Sequence, residues 1–261
     1  MSLSVCAIFR NEAPYLREWI EFHRIVGFDR FCLYQNNSDD DWQSALRPYL
    51  ETGVVEVTDW PMASPAQLPA FQDFVDRHGQ SDEWVAFIDC DEFLFSPDHG
   101  TVLEALDQGP FKECGAVAVN WLCFGAAGQE DVIDGLVIER FTVRPKDTFW
   151  MNDYVKCLVK LDRLEALSNN AHHFITRGET VNEQGENVPD KFNSPPTHRL
   201  LRINHYATKS RSEWLKRVTL GRVDVPCHRS AGEFENYQAA EVDDRTIRRF
   251  LPKLKRRLGA A

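Results

Sequence analysis

The first part of the chain alternates short apolar runs with segments whose apolar residues recur at helical spacing. The apolar runs predict four buried strands, at Leu3–Phe9, Phe31–Tyr34, Val54–Val57 and Trp84–Ile88. The segments between them predict three helices, one opened by Asn11 as its cap with Pro14 in its first turn, one at Trp42–Leu50 and one at Ala66–His78. This β-α-β-α-β-α-β order predicts an α/β fold with an open, mostly parallel sheet and flanking helices.

After residue 100 the alternation becomes less regular. We predict a short helix at Thr101–Leu106 and a long loop over residues 178–198. Further strands are predicted at Ala116–Trp121, Leu136–Phe141, Tyr154–Lys160 and Arg199–Ile203, and further helices at Arg211–Leu220 and Ala239–Leu258. The pattern divides the chain into one domain over residues 1–235, with a regular half (1–100) and an irregular half (101–235), and a C-terminal helix in 236–261.

Charge is unevenly distributed along the chain. The 261 residues include 40 acidic and 30 basic ones, for a formal charge of −10. This acidic balance argues against a nucleic-acid binder, because such proteins carry a basic surface. Residues 245–261, however, hold seven basic residues and no acidic one, so this tail carries +7 and the rest of the chain −17. Apolar residues recur there at helical spacing, so a basic amphipathic helix could lie on an anionic membrane; we favour its packing on the domain.

The number of cysteines and the lengths of the apolar runs indicate the cellular compartment of the protein. No apolar stretch approaches the ~18 residues of a membrane-spanning helix, and the N-terminus shows no secretory signal. The seven cysteines are odd in number and contain no Cys-x-x-Cys, which favours reduced, buried thiols. We therefore expect a cytoplasmic protein, either free or peripheral on the inner face of the membrane.

A carboxylate pair follows the fourth predicted strand. Asp89 and Asp91 are two residues apart, so on an extended segment their side chains point the same way. Two such carboxylates can converge on Mg²⁺ or Mn²⁺, which prefer oxygen ligands. Asp39 and Asp41 have the same spacing in a polar loop, so the buried strand in front of Asp89 is what distinguishes the first pair. The alternative is a pair of acids that caps a loop or helix.

Several motifs together resemble the GT-A glycosyltransferases, and more closely the group formed by the family-2-like and family-92 enzymes. They are Arg10-Asn11-Glu12, Asn36-Asn37-Ser38, Phe87-Ile88-Asp89-Cys90-Asp91-Glu92-Phe93, Trp121-Leu122-Cys123-Phe124-Gly125, Leu136-Val137-Ile138-Glu139-Arg140-Phe141, Lys156-Cys157-Leu158-Val159 and Ile203-Asn204-His205-Tyr206. The resemblance covers roughly residues 3–220. It implies a metal-dependent transferase that moves a sugar with inversion from a UDP-sugar, or a related nucleoside-diphosphate sugar, to a glycan or glycolipid acceptor.

The resemblance also implies roles for particular residues. The nucleotide would be held by Arg10, Asn11, Glu12, Asn36 and Ser38. Asp89 and Asp91 would bind the metal, Mn²⁺ or Mg²⁺, and the diphosphate; His205 would add a metal contact and Lys156 a diphosphate contact. The stretch Ala126-Ala127-Gly128-Gln129 departs from relatives, which often have serines and a histidine there, and this leaves the acceptor open.

The remaining chemistry concerns the acceptor. An inverting transfer needs a general base for the acceptor hydroxyl, and Glu130, Asp131 and Asp153 are candidates because they lie in loops of the second half. Trp121, Trp150 and Tyr206 could stack on a sugar, although core packing is the commoner role of an aromatic residue. Two other functions remain open, a non-catalytic module that binds nucleotide sugars or glycans and a dehalogenase-type phosphatase. The phosphatase is disfavoured because its Asp-x-Asp follows the first strand, whereas this pair follows the fourth.

Overall fold

The computed structural model describes residues 2–79, 81, 84–224, 227 and 229–259. The strands are β1 (Leu3–Phe9), β2 (Arg30–Gln35), β3 (Val55–Asp59), β4 (Trp84–Phe87), β5 (Glu92–Phe95), β6 (Ala116–Cys123), β7 (Val143–Arg144), β8 (Val155–Lys160), β9 (Leu164–Leu167), β10 (Phe174–Thr176), β11 (Thr180–Val181), β12 (Arg202–His205) and β13 (Val242–Asp243). The α-helices are α1 (Ala13–Ile25), α2 (Trp42–Glu51), α3 (Gln67–His78), α4 (Val102–Gln108), α5 (Val137–Arg140), α6 (Arg211–Leu220) and α7 (Leu251–Leu258). Short 3-10 helices lie at Trp150–Asp153, Leu161–Arg163, Ala231–Tyr237 and Thr246–Phe250.

The central sheet confirms the predicted α/β class. Within the described residues it has nine strands, in the order β3-β2-β1-β4-β8-β6-β12-β5, with β11 beside β6. Seven of the nine run in one direction, while β8 and β5 run in the other. The carboxyl ends of β1, β4, β6 and β12 and the amino end of β8 therefore meet at one edge. In open α/β sheets this is the edge where ligands bind.

Helices cover both faces of the sheet. Alternate residues of β1 enter two different cores: Val5 and Ala7 pack with Trp19 of α1, whereas Cys6 and Ile8 pack with Phe71 of α3. This division follows from the two-residue period of a strand. A strand buried on both faces is a continuous apolar run in the sequence, which explains why β1 could be predicted.

Six of the seven cysteines are buried and Cys227 is exposed.

The predicted strand at Leu136–Phe141 was wrong. Val137–Arg140 form the single turn of α5 instead. The carboxylate of Glu18 accepts hydrogen bonds from the backbone amides of Val137 and Ile138, at 2.8 and 3.1 Å. These amides are the unpaired donors that a helix exposes at its amino end. A partner on α1 therefore stabilises a helical turn in an apolar run that favours a strand.

The C-terminal segment is not the single helix predicted at Ala239–Leu258. Val242–Asp243 form β13, which pairs with β7, and a 3-10 helix precedes α7. Asp244 anchors the segment because its carboxylate accepts from Arg144 at 2.9 Å and from Arg202 at 3.0 and 3.1 Å. Pro252 lies in the first turn of α7, the place where proline is tolerated.

The apolar stripe of this C-terminal segment packs on the domain, as we favoured. Leu254 is fully buried, and the ring of Phe250 lies 5.5 Å from that of Phe22 on α1. Some of the basic residues are paired, Lys255 with Glu139 and Arg257 with Glu21. Lys253 and Arg256 are exposed. In the part of the chain that the structure describes, every helix is too short or too polar to cross a membrane.

Strand β5 was missed. The sequence indicated a polar loop through Glu92, yet Glu92–Phe95 form a buried strand antiparallel to β12. The partner β12 lies more than a hundred residues further along the chain, and pairing with it draws the charged Glu92 into the sheet.

Candidate active site

A cavity of about 480 Å³ lies at the carboxyl edge of the sheet. The loop after β1 and the loop after β4 form one wall, and α6 with the residues that follow it forms another. The predicted site residues that line it are Arg10, Asn11, Glu12, Asp89, Asp91, Lys156 and His205. The structure thus brings together seven residues that come from four separate motifs. The cavity has the size of an ordinary small-ligand site.

Asp89 is held by two side chains. Its Oδ1 accepts from Nε2 of Gln67 at 2.7 Å, and its Oδ2 accepts from Nζ of Lys156 at 3.0 Å. Lys156 is almost fully buried, and its Nζ also lies 3.9 Å from Oε1 of Glu92. Burial alone would lower the pKa of Lys156, but the carboxylates of Asp89 and Glu92 raise it above its ordinary value. Lys156 is therefore a charged counterion that fixes the orientation of Asp89.

Asp91 is more deeply buried and is bound by a different cation. Its Oδ2 accepts from Nη1 of Arg217 at 2.6 Å, and its Oδ1 lies 3.8 Å from Nε2 of His205. Although burial opposes ionisation, Arg217 and His205 hold the pKa of Asp91 well below its usual range. Burial lowers the pKa of His205 to about 4, so its ring is neutral at pH 7. A neutral imidazole can donate a lone pair to a metal.

The residues present fit a divalent cation. Oδ1 of Asp91 and Nε2 of His205 face each other across a short gap, and neither has a hydrogen bond to another described residue. A carboxylate oxygen and an imidazole nitrogen are suitable ligands for Mn²⁺, and the oxygen also for Mg²⁺. Both oxygens of Asp89 already accept hydrogen bonds. Asp91 Oδ1 and His205 Nε2 are therefore the two atoms of suitable chemistry at this gap, and Asp89 lies beside them.

The loops after β1 and β2 are bonded to each other. Asn11 exchanges side-chain and backbone hydrogen bonds with Asp39, at 2.7 and 2.9 Å, and its own amide donates to Oγ of Ser38 at 3.0 Å. The predicted cap was wrong, because Asn11 lies in the left-handed region at φ 56° and makes no capping bond to α1. Instead, Asp40 accepts from the amide of Ala13 at 2.7 Å.

Asn36 and Ser38, predicted to hold the nucleotide, do not line the cavity. Nδ2 of Asn36 donates to the carbonyl oxygens of Trp60 and Met62, each at 2.8 Å. Ser38 contacts Asn11 as described. Ser38 therefore supports the loop that presents Arg10, Asn11 and Glu12. The side chain of Asn36 holds the segment after β3, and only its backbone amide, which donates to the carbonyl of Phe9 at 2.9 Å, contacts the start of that loop.

The three predicted general bases lie outside the lining of this cavity. Glu130 and Asp131 are exposed, and Glu130 pairs with Arg211 at 3.2 Å. Asp153 is half-buried at the end of a 3-10 helix, where its carbonyl accepts from the amide of Asn193 at 2.8 Å. Their assignment as the base stays a prediction. Of the three candidate stacking aromatics, only Trp121 lines the cavity, since Trp150 is exposed and Tyr206 is in the core.

The cavity also has lining residues that sequence reasoning missed: Tyr15, Gln67, Lys209, Glu213 and Arg217. Glu213 and Arg217 are one turn apart on α6, so both face the site. Glu213 forms a capping box with Ser210 and pairs with Arg140 at 2.8 Å, which together lower its pKa to about 2 against the effect of burial. The Ser-x-x-Glu spacing at 210–213 was the available signal, because it marks the start of α6 at the cavity wall.

The sequence matches the profile of Glycosyltransferase family 92 over residues 1–213. The chain belongs to glycosyltransferase family 92. A family 92 protein of Oryza sativa subsp. japonica is 33% identical over 177 residues, which are 66% of this chain and 29% of that protein. One of Arabidopsis thaliana is 29% identical over 183 residues, 66% of this chain and 31% of that protein. The family 92 chain thus spans less than a third of the length of these relatives.

Solved structures show a partial likeness to the family 92 chain. TarS of S. aureus (residues 1–349) gives a TM-score of 0.41 at 10% identity and covers 62% of this chain and 47% of that one. Glucosyl-3-phosphoglycerate synthase of Mycobacterium tuberculosis, in complex with Mn²⁺, UDP and glucosyl-3-phosphoglycerate, gives 0.32 at 18% identity, covering 46% and 44%. The family assignment rests on the sequence match.

Proposed function

We propose that this chain is a metal-dependent glycosyltransferase that moves a sugar, with inversion, from a UDP-sugar to a hydroxyl of a glycan or glycolipid. The observation that carries the proposal is the facing pair of Asp91 Oδ1 and His205 Nε2, 3.8 Å apart at the carboxyl edge of the sheet. Membership of family 92 gives the class of reaction, and the cavity volume suits a sugar nucleotide.

Asp91 and His205 would hold Mn²⁺ or Mg²⁺. When bound, the cation supplies positive charge that stabilises the departing diphosphate. Arg217 fixes the Asp91 carboxylate through Oδ2 and thereby leaves Oδ1 directed at His205. Lys156 and Gln67 do the same for Asp89, so both carboxylates are oriented before the donor arrives. Such preorganisation reduces the reorganisation that the reaction requires.

The loop after β1 would bind the nucleotide. Arg10, Asn11 and Glu12 line the cavity and are held there by contacts to the loop after β2. Arg10 is further fixed by a hydrogen bond from Nη1 to the carbonyl oxygen of Leu220, at 3.2 Å, at the end of α6. Asn36 and Ser38 would act on the nucleotide through this support.

Deprotonation of the acceptor hydroxyl is assigned to one of Glu130, Asp131 and Asp153. The backbone carbonyl of Glu130 accepts from the amide of Ser212, so this loop lies against the amino end of α6, whose inner face lines the cavity. An acceptor would therefore have to extend from the cavity towards this loop. Because none of these three acids lines the cavity, the alternative function is a module that binds nucleotide sugars without transferring them.

Calorimetry with UDP tests donor binding. We expect UDP to bind in the presence of Mn²⁺ and to lose most of its affinity in EDTA. Asp91→Asn should abolish the metal-dependent part, because it removes the negative charge at the cation. Asp41→Asn is the matched control, since Asp41 has the same Asp-x-Asp spacing but caps α2.

Failure of UDP and of every other nucleoside diphosphate to bind with Mn²⁺ would contradict the proposal. Where UDP does bind, a panel of nucleotide sugars distinguishes a transferase from a binding module, because only a transferase releases sugar from one of the donors. If a nucleotide sugar binds tightly but no sugar is released from it, the result favours a non-catalytic binding module.

We further propose a cytoplasmic location with peripheral contact to an anionic membrane. Because the apolar stripe of the C-terminal segment is packed on α1, this contact would be electrostatic and would depend on Lys253 and Arg256.

A further inference from the structure

We propose that Lys209 is a donor-binding residue, whose ammonium group hydrogen-bonds to the diphosphate of the nucleotide sugar. The inference rests on the proposed function and adds a residue to it. Lys209 lines the cavity and comes just before α6. The support comes from its burial, its missing hydrogen bonds and its backbone conformation.

The side chain of Lys209 is buried, and its ammonium group makes no hydrogen bond to the described residues. The residue is 2% exposed. Its neighbours are Oε2 of Glu12 at 3.8 Å and the ring of Tyr15, whose centroid is 4.2 Å away. An ammonium group has three hydrogens to donate, and burying it unsatisfied is costly. The structure therefore leaves room for an acceptor from a ligand.

The carboxylate of Glu12, which faces Lys209, also has an oxygen without a hydrogen bond. Its Oε2 is buried and has no hydrogen-bond partner. Glu12 and Lys209 thus face each other at a distance too long for a hydrogen bond, and both line the cavity. A ligand with both acceptor and donor groups, such as the phosphate and ribose of a nucleotide, would satisfy the two residues together.

The backbone of Lys209 lies in the left-handed region at φ 52°. A lysine adopts this conformation at a cost because of its Cβ, whereas a glycine would adopt it freely. The conformation is held in place by the next residue, because the amide of Ser210 donates to Oε2 of Glu213 at 2.9 Å in the capping box of α6. Strained residues that persist in a structure concentrate at functional sites.

Tyr15 and Glu213 fix the direction of the lysine side chain. The hydroxyl of Tyr15 donates to Glu213, which also binds Arg140. The ring of Tyr15 is thereby held as a platform, and cation–π attraction keeps Nζ over it. Lys209 lines the same cavity as Asp91 and His205. The ammonium group is therefore part of the same electrostatic site as the proposed metal ligands, where a diphosphate would lie.

Two substitutions test this role by different routes. Lys209→Met keeps the length of the side chain and removes its charge, and Lys209→Gly removes the side chain and relieves the backbone. We expect both to weaken UDP binding in Mn²⁺ by about 10- to 100-fold, the usual effect of a hydrogen bond to a charged group. The binding of uridine, which lacks phosphate, should be unchanged. Lys209→Gly should melt at or above the temperature of the unaltered chain, which shows that it is folded.

The control is Lys146→Met, which removes a lysine that is 69% exposed and pairs with Glu241. It should bind UDP like the unaltered chain. If UDP binds the Lys209 variants as tightly as the unaltered chain, the role of Lys209 is refuted and the proposed function stands. Equal losses for UDP and uridine would also refute it, since they would indicate a change of cavity shape. If the unaltered chain binds no nucleoside diphosphate, the proposed function itself fails.

Discussion

Three ion pairs in the site join an acid of the first half of the domain to a cation of the second half. The half before residue 100 provides three acids, Glu12, Asp89 and Asp91, and the half after it provides the cation that faces each of them. The pairs are Glu12 with Lys209, Asp89 with Lys156, and Asp91 with Arg217. The acids follow β1 and β4 of the regular half, and the cations come from β8, from α6 and from the segment just before α6. The site is therefore a charge-matched interface between a regular and an irregular part of the chain.

The three pairs differ in how completely they are satisfied. Asp89 and Asp91 accept hydrogen bonds of 3.0 and 2.6 Å from their cations, whereas Glu12 and Lys209 are 3.8 Å apart. The closed pairs position carboxylates, and the open pair leaves both of its members able to contact a ligand. Charge matching across the interface thus serves two purposes, orientation and recognition.

The largest effect is expected from breaking the Asp91–Arg217 pair. Arg217→Gln leaves a buried carboxylate without its main counterion, which should lower the free energy of unfolding by about 3–5 kcal/mol. Urea unfolding followed by circular dichroism would measure it. Arg211→Gln is the matched control on the same helix. Among the described residues Arg211 pairs with two exposed acids, so its loss should leave the midpoint nearly unchanged.

The same pair can be tested by a double-mutant cycle. Asp91→Asn should cost less stability in the Arg217→Gln background than alone, since the charge that it removes is then uncompensated. Additive losses would mean that the two halves are not joined by this ion pair.

A smaller, pH-dependent effect on stability is expected at Glu18. This residue joins the two halves of the domain through hydrogen bonds to backbone amides instead of an ion pair. Burial raises the pKa of Glu18 from 4.5 to about 7, despite its bonds to the amides of Val137 and Ile138. Between these values the unfolded chain releases the proton and the folded chain keeps it. The contribution of Glu18 to stability is therefore present below pH 4.5 and is lost as the pH rises to 7, by about 3 kcal/mol.

Glu18→Gln should remove this dependence, because the glutamine side chain does not titrate. The difference in unfolding free energy between variant and unaltered chain would be measured from pH 4.5 to 7.5, with the exposed Glu51→Gln as control. A constant difference across this range would show that Glu18 is ionised in both states.

The smallest effect on stability is expected outside the interface, at the exposed cations of α7. Replacing Lys253 and Arg256 by serine should leave the melting temperature unchanged, since both side chains are exposed. Sedimentation with phosphatidylserine vesicles should nevertheless fall, and salt should weaken it for the unaltered chain. Replacing Arg47 and Lys112, which are exposed elsewhere, is the control. If the unaltered chain does not sediment with anionic vesicles, the proposed membrane contact is excluded.

Much of the regular half could be predicted from the sequence. The bounds of β1 are those expected, because a strand buried on both faces is a continuous apolar run. Helix α6 also begins and ends where predicted. The motif residues that line the cavity, including Asp89, Asp91 and His205, were found because carboxyl ends of parallel strands meet at one edge.

The remaining features depend on partners that are distant in the chain. The hydrogen bond from Arg217 to Asp91 spans 126 residues, so on the isolated sequence of α6 the arginine is typical of a solvated helix face. Lys209 owes its position to Tyr15 and Glu213, and α5 owes its helical turn to Glu18. Local periodicity carries no information on contacts of this kind.

The place of β8 between β4 and β6 has a consequence for synthesis of the chain. At roughly 5–20 residues per second, the ribosome releases Asp89 about 3 to 13 s before Lys156, which lies 67 residues further along the chain. Strands β1 to β4 can pair during this interval, but the free side of β4 stays open until β8 emerges with Lys156. The nascent chain therefore carries an unpaired strand edge beside two uncompensated acids, and their charge helps to keep that edge in water until its partner strand arrives.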